Sequence, residues 1–215
     1  MMARLLICED DARMRRLLTK GLSRVEDFEV VGACSTGEEV PRVVERLHPD
    51  LLLLDLELPG MDGIGVIEAL GQAGLLPGVE VLILTTFRSE TRVFQAMQAG
   101  AAGYLVKGLA GDILERSIRD VLLGGTVIEA RLAKRFWNHF SAAKGHSLVD
   151  YGLTREELDV LTLVAQGLSN PEAASALGAS RRSVKAHLSS IYRKLGVRGR
   201  VEATVKALAA GLIEI

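Results

Sequence analysis

The residues best suited to chemistry in this sequence are polar groups at the ends of short apolar runs. They are Glu9, Asp10, Asp11, Asp55, Thr85, Thr86 and Lys107. Carboxylate oxygens are the ligands that Mg²⁺ prefers. A carboxylate beside such a metal can attack phosphorus and form an aspartyl phosphate. The metal and a lysine would then stabilise the charge on the transferring phosphoryl oxygens. If the fold brings these groups together, they predict phosphoryl transfer onto a carboxylate.

Alternating strand and helix patterns provide the elements that could position these groups. Apolar runs predict strands at 4–8, 28–34, 51–54, 79–85 and 103–106. Helical spacing between and after them predicts helices at 12–23, 36–47, 64–70, 90–99 and 111–123. Such an order favours a doubly wound α/β domain with a five-stranded parallel sheet and helices on both faces. The carboxyl ends of parallel strands meet at one edge, where ligands of open sheets bind.

Each of these residues also has a simpler interpretation when it is taken alone. An aspartate at a strand end is usually a turn former or a helix cap, and a lone lysine is usually a surface residue. The side chains of Glu57 and Asp62 are interpreted as solvated loop residues. Four suitable groups at four strand ends make a shared site the better interpretation.

Composition restricts the class of protein. The 215 residues are 48% hydrophobic and 25% charged, which is typical of globular proteins. The apolar runs are shorter than the ~20 residues of a membrane span, and acids follow the N-terminal MMARLLIC. We therefore expect a cytoplasmic protein without a membrane partner. The two cysteines, Cys8 and Cys34, are interpreted as buried thiols in a reducing compartment.

Charge divides the chain into two parts. Residues 1–123 hold 13 basic and 19 acidic residues, a balance of −6, whereas residues 151–215 hold 9 basic and 6 acidic, a balance of +3. The segment Ser180–Arg200 has seven basic residues and no acid. We predict a domain at 1–123, a linker at 124–147 and a second domain at 148–215, with different partners.

The second domain has helical periodicity throughout. Thr154 and Glu157 form a capping-box pattern before the first helix, and Ser169 or Asn170 caps the second. A break at Gly178-Ala-Ser180 separates the second helix from RRSVKAHLSSIYRKL, which predicts a helix-turn-helix. In such a domain the later helix enters the major groove and its basic residues contact phosphates. A merely solvated basic face is the alternative.

The motifs CEDD, LLLLDLELPGMDG, LILTTF and GYLVKG, within residues 4–123, resemble the receiver domain of two-component response regulators. The resemblance implies a flavodoxin-like fold with Asp55 as phosphoacceptor. It implies that Thr85 is the switch hydroxyl, that Lys107 contacts the phosphoryl group and that Tyr104 is the aromatic that follows the switch. The implied Mg²⁺ ligands are Glu9, Asp10, Asp55 and the backbone carbonyl of Glu57.

Residues 148–215 resemble the LuxR-type helix-turn-helix domain, through TREE, QGLSN, SVKAHLSSIYRKL and RVEA. The expected DNA-binding residues are Arg181, Arg182, Lys185, Ala186, Ser189, Arg193 and Lys194. Of these, Lys185, Ala186 and Ser189 are expected to contact the bases, and Arg181, Arg182 and Lys194 the phosphates.

The two resemblances together imply a response regulator transcription factor of the NarL/FixJ type rather than an enzyme. A histidine kinase would phosphorylate Asp55, and the protein would then dimerise on promoter DNA, with RNA polymerase as a further candidate partner. The receiver would catalyse its own phosphoryl transfer and a slow dephosphorylation. Two alternatives remain: a phosphate-independent DNA-binding regulator whose receiver is a dimer module, and an aspartyl-phosphate phosphatase of the haloacid-dehalogenase type.

Overall fold

A computed structural model describes residues 2–86, 90–127 and 151–213. The first domain contains five strands, β1 (Ala3–Cys8), β2 (Phe28–Cys34), β3 (Leu51–Leu54), β4 (Glu80–Thr85) and β5 (Gly103–Val106). All strand pairs are parallel and the spatial order is β2-β1-β3-β4-β5. The predicted α/β architecture is therefore confirmed. The order reverses between β1 and β3, which puts the topological switch point beside Asp55.

Five helices cover the two faces of this sheet: α1 (Ala12–Leu22), α2 (Val40–Leu47), α3 (Gly63–Gln72), α4 (Glu90–Ala99) and α5 (Gly111–Leu122). Helices α1 and α5 pack on the face that presents Leu5, Leu53 and Leu82. Helices α2, α3 and α4 pack on the opposite face. The four leucines of β3 are at most 1% exposed because helices cover the sheet on both sides.

The helix predicted at 36–47 begins differently in the structure. Residues Gly37–Glu39 form a 3₁₀ turn and the α-helix begins at Val40. Pro41 explains the difference because it has no N–H to donate to the carbonyl of Gly37, as an α-helix there would require. The Val40 N–H makes the shorter 3₁₀ bond to Gly37 instead.

The second domain is all helical in its described part, with α6 (Arg155–Ala165), α7 (Asn170–Ala176), α8 (Arg181–Leu195) and α9 (Arg200–Ala209). Thr154 and Glu157 form the predicted capping box. Ser180 caps α8 by accepting from the Ser183 N–H at 3.1 Å. The apolar stripe of α8, formed by Val184, Leu188, Ile191 and Leu195, is buried in this domain's core as predicted.

The boundary between the domains is only partly described. Val127 pairs with Gly103 of β5, and the Tyr104 N–H donates to the Val127 carbonyl at 2.8 Å. The first residues of the predicted linker at 124–147 therefore contact the sheet. From residue 128 onward that linker lies outside the described residues.

Candidate functional site

The ends of β1 and β3 bring three carboxylates together. Cys8 pairs with Leu54, and the Asp55 N–H donates to the Cys8 carbonyl at 3.0 Å. Glu9 and Asp55 therefore follow neighbouring strands at the same level. Each of Glu9, Asp10 and Asp55 offers a carboxylate oxygen, and these atoms lie within 4.8 Å of one another. Glu9 and Asp55 are buried, whereas Asp10 is exposed at the mouth of the cluster.

Lys107 joins this cluster from the end of β5. The backbone N–H of Lys107 donates to the Thr85 carbonyl at 2.8 Å, which fixes Lys107 beside the end of β4. Its Nζ lies 2.7 Å from Asp55 Oδ2 and 2.7 Å from Glu9 Oε2. The structure thus places Asp55, Glu9 and Lys107 in direct contact. Thr85 and Tyr104 are both fully buried, in β4 and β5.

In this cluster, burial and the ion pairs shift the pKa of each group in opposite directions. Burial of Glu9, together with the charge of Asp55, raises the pKa of this carboxyl although Lys107 opposes the shift. Burial alone would lower the pKa of Lys107, but its hydrogen bonds to Asp55 and Glu9 raise it. Lys107 is therefore a firmly charged group that balances two buried carboxylates.

The loop after β3 makes two further contacts near Asp55. The Glu57 N–H donates to Asp55 Oδ1 at 3.1 Å. The Glu57 side chain, interpreted from sequence as solvated, is exposed but accepts a hydrogen bond from Thr86 Oγ1 at 2.7 Å. This hydrogen bond between Thr86 and Glu57 was not predicted, because no local sequence pattern links residues 29 positions apart.

The donor set of this cluster fits a hard divalent cation. Its donors are all oxygens, two of the carboxylates are buried and the third is open to solvent, so that a bound ion could keep several waters as Mg²⁺ does. The cluster has three carboxylates, from Glu9, Asp10 and Asp55, but one ammonium, from Lys107, and this excess of acidic groups favours a cation.

The predicted DNA-binding residues lie along α8. Arg181, Arg182, Lys185, Ala186 and Arg193 are exposed, and Ser189 is half-buried with its hydroxyl donating to the Lys185 carbonyl at 3.0 Å. The ammonium of Lys194 is instead engaged within the domain. It lies 2.7 Å from Glu157 Oε2 and donates to the Gly152 carbonyl at 2.8 Å.

Helix α8 faces the first domain. A cavity of about 360 Å³ lies between the two domains and is lined by Glu80 and Gly100 on one side and by Lys185, Ser189 and Tyr192 on the other. Burial raises the pKa of Glu80, and the positive charges of Lys185 and Arg200 oppose that rise. In this arrangement the face expected to contact DNA is therefore partly covered.

Backbone and side-chain contacts hold the domains in this arrangement. The Asn170 N–H donates to the Leu123 carbonyl at 2.8 Å, and Arg200 donates to the Gly124 carbonyl. Gly100 and Gly199 approach closely, since a Cβ on Gly199 would lie 3.4 Å from the Gly100 Cα. Arg198 and Glu68 form an exposed ion pair at 3.7 Å. No sequence pattern predicted these contacts.

Two family models match the chain. The model described as "Response regulator receiver domain" matches residues 5–119, and the model described as "Bacterial regulatory proteins, luxR family" matches residues 152–207. This chain belongs to the LuxR-family response regulators. The predicted membership and fold are thereby confirmed, as is its class as a DNA-binding transcriptional regulator of two-component systems.

Individual relatives support the same assignment. The chain is 35% identical to the uncharacterized transcriptional regulatory protein YhcZ of Bacillus subtilis, over 97% of each chain. It is 32% identical to the response regulator protein VraR of Staphylococcus aureus, over 100% of each. The crystal structure of the response regulator ChrA of a heme-sensing two-component system is 32% identical, covers 99% of each chain and has a TM-score of 0.52.

YhcZ is named as a transcriptional regulatory protein and VraR as a response regulator, which favours a regulator over the phosphatase alternative. Among the described residues, no helix is both long and apolar enough to cross a membrane.

Proposed function

We propose that Asp55 accepts a phosphoryl group from a histidine kinase. An Asp55 carboxylate oxygen would attack phosphorus while the P–N bond of the phosphohistidine breaks and its electron pair returns to the imidazole. The observation that carries this proposal is the contact of Lys107 Nζ with Asp55 Oδ2 at 2.7 Å. It puts a buried cation where phosphoryl oxygens on Asp55 would develop negative charge.

The ligands proposed for Mg²⁺ are Glu9, Asp10, Asp55 and the Glu57 backbone carbonyl. When bound, the ion would neutralise charge on the phosphoryl oxygens. Lys107 would move from its shared contact with Glu9 onto the phosphoryl group. Thr85 would supply the switch hydroxyl and Tyr104 the aromatic group that follows it. The same groups would support self-catalysed transfer from a small phosphodonor and a slow hydrolysis of the product.

Phosphorylation of the Asp55→Asn variant tests the acceptor. The wild type should gain one phosphoryl group when it is incubated with acetyl phosphate and Mg²⁺, and intact-protein mass spectrometry measures that gain. The Asp55→Asn variant should gain none because an amide cannot replace the nucleophilic carboxylate. Asp112→Asn, which changes an exposed carboxylate at the start of α5, is the matched control. Equal uptake by wild type and Asp55→Asn would refute the assignment.

The proposed consequence of phosphorylation is release of α8 from the first domain. A phosphoryl group adds a charge of about −1.5 to −2. The resulting shift of Thr85 and Lys107 would loosen the domain contacts and let a DNA duplex reach the half-buried Ser189 together with its exposed neighbours Lys185 and Ala186. Arg181, Arg182 and Arg193 are exposed and suited to phosphates. Lys194 is proposed as a weaker phosphate contact, because its ammonium already pairs with Glu157.

Binding to a duplex selected from random sequences tests the role of Lys185. The Lys185→Ala variant should bind more weakly, and if the lysine also neutralises a phosphate, the slope of log affinity against log salt should fall by about 0.9. Lys20→Ala removes an exposed charge from α1 and is the control. Unchanged affinity of Lys185→Ala would remove α8 from the proposal. Beryllofluoride, which mimics the phosphoryl group on an aspartate, should raise the affinity of the wild type for DNA. No change would favour the phosphate-independent alternative.

We further propose that the phosphorylated protein forms a homodimer in the cytoplasm, bound to promoter DNA and able to contact RNA polymerase. Leu17 of α1 is 57% exposed and Ile113 of α5 is 42% exposed. Both helices pack on the same face of the sheet, so this face offers apolar side chains to a second copy. Sedimentation with beryllofluoride should give a dimer for the wild type and a monomer for Leu17→Asp. A dimer of Leu17→Asp would exclude this face.

A further inference from the structure

Arg15 holds the backbone that carries two of the acidic residues. It lies in the first turn and a half of α1, and its guanidinium Nη1 donates to the Glu9 carbonyl at 2.6 Å and to the Asp10 carbonyl at 3.0 Å. We propose that Arg15 is a positioning residue that sets the affinity of the acidic cluster for Mg²⁺. The proposal rests on the proposed role of Asp10 as a metal ligand.

The β1–α1 loop turns sharply, and its other contacts leave Asp10 to be fixed by Arg15. The Asp11 N–H donates to Glu9 Oε1 at 3.3 Å. Asp11 Oδ1 caps α1 by accepting from the N–H groups of Arg13 and Met14, both at 2.7 Å. These bonds hold residues 9 and 11. Asp10 itself has an exposed side chain, so its orientation depends on the peptide planes on either side of it.

The two bonds from Arg15 fix those planes. A donor that is charged makes hydrogen bonds about twice as strong as neutral ones. Once the carbonyls of Glu9 and Asp10 both face Arg15, the direction of the Asp10 Cα–Cβ bond is set. A free carboxylate ligand would otherwise lose rotational freedom when the ion binds, which weakens affinity. Outer groups that orient metal ligands typically contribute 10–100-fold to metal affinity.

Helix α1 also supplies controls that separate hydrogen bonding from charge. Arg13 and Arg16 are neighbours of Arg15 with the same charge, but both are exposed. If Arg15 acted only through its charge, the Arg16→Gln variant would change the site in a similar way. Arg15→Lys keeps the charge, but a lysine chain ends one bond short of the position of Nη1, so its ammonium would reach the two carbonyls less closely.

The experiment is a calorimetric titration of Mg²⁺ into the full chain, with the melting temperature in the absence of metal measured in parallel. We expect Arg15→Gln to weaken Mg²⁺ binding about tenfold or more, Arg15→Lys to lie between it and the wild type, and Arg16→Gln to stay near the wild type. Each comparison is made with variants whose α1 amides remain protected from hydrogen exchange.

An Arg15→Gln variant that binds Mg²⁺ like the wild type would overturn the proposal, and so would an Arg16→Gln variant that loses as much affinity. If Arg15→Gln does not fold, the folded Arg15→Lys variant decides, because wild-type affinity there would also contradict the role of the two hydrogen bonds from Nη1. The Asp10→Asn variant distinguishes the two levels. Loss of Mg²⁺ binding in Asp10→Asn with none in Arg15→Gln defeats only this inference, whereas wild-type binding by Asp10→Asn defeats the proposed metal site.

Discussion

Replacement of Lys107 by methionine should destabilise the receiver and make its stability depend on Mg²⁺. The side chains of Lys107, Glu9 and Asp55 are only 10%, 2% and 3% exposed, and both ion-pair distances are 2.7 Å. Methionine fills a similar volume but leaves two buried carboxylates facing each other without a cation. Breaking a buried ion pair in this way typically costs about 3–5 kcal/mol. For a protein of this size about 1 kcal/mol lowers a melting temperature by roughly 2–4 °C, so we expect a fall of about 10 °C.

Mg²⁺ should restore much of this loss, because the ion replaces the missing positive charge. An ion present at about 100 times its dissociation constant stabilises a folded protein by roughly 3 kcal/mol. The variant should also bind Mg²⁺ more tightly than the wild type, since no ammonium competes for Asp55 and Glu9. Differential scanning calorimetry of the full chain with and without Mg²⁺ measures both effects.

Two results would refute the reasoning behind the Lys107→Met prediction. One is a melting temperature like that of the wild type in the absence of metal. The other is a rise in melting temperature on adding Mg²⁺ that is no larger for Lys107→Met than for the wild type. Lys20→Met, which changes an exposed lysine of α1, is the control and should shift stability by no more than about 0.5 kcal/mol.

Glu157→Gln should destabilise the second domain by about 3 kcal/mol at neutral pH. The reason is that hydrogen bonds and the charge of Lys194 outweigh burial and lower the pKa of the Glu157 carboxyl to about 2. Hydrogen exchange in α6 and α8 measures the loss, and Glu156→Gln, which changes an exposed neighbour, should show none. Because that pKa is lowered, the stabilisation by Glu157 is complete above pH 4.5 and disappears as the pH falls towards 2. The difference in unfolding free energy between the variant and the wild type should therefore vanish near pH 2. A difference that stays constant with pH would contradict the ion pair. Gly100→Ala should separate the domains, since the new Cβ would lie 3.1 Å from the Arg198 carbonyl oxygen and the φ of +121° disfavours a side chain. X-ray scattering should show a larger radius of gyration for this variant. An unchanged radius would contradict the close contact between Gly100 and the second domain.

Much of the receiver site could be predicted from sequence because strand ends in a parallel sheet have few possible positions. Once 51–54 is interpreted as a strand, Asp55 must lie at the edge where Glu9 and Lys107 also end, and the structure confirms their contact. The capping box of Thr154 and Glu157 is confirmed for a similar reason, since its bonds join residues three apart. In both cases the geometry follows from local periodicity.

Contacts between distant residues gave no such signal. Lys194 has the charge and position of a phosphate-binding residue on α8, but its partner Glu157 lies 37 residues earlier. Arg15 is one of three arginines within four positions, and the pattern alone does not show which one turns back to the loop. The domain contacts at Gly100 and Leu123 likewise depend on tertiary packing, which hydrophobic periodicity does not encode.

The positions of these contacts suggest how the site and α8 could be coupled. Strand β4 begins at Glu80, beside the cavity that Lys185 lines, and ends at Thr85. Residues 81–84 are at most 6% exposed, and Leu82 and Ile83 are paired with strands on both sides, so β4 itself has little freedom to move. Helix α4 links the two regions, because it follows β4 at the site end and leads at its other end into Gly100, which contacts the second domain. A rearrangement that begins at Thr85 would therefore reach α8 most directly through α4. If so, beryllofluoride should increase hydrogen exchange in α4 and at 196–203 together in the wild type, whereas Gly100→Ala should raise exchange at 196–203 without the ligand.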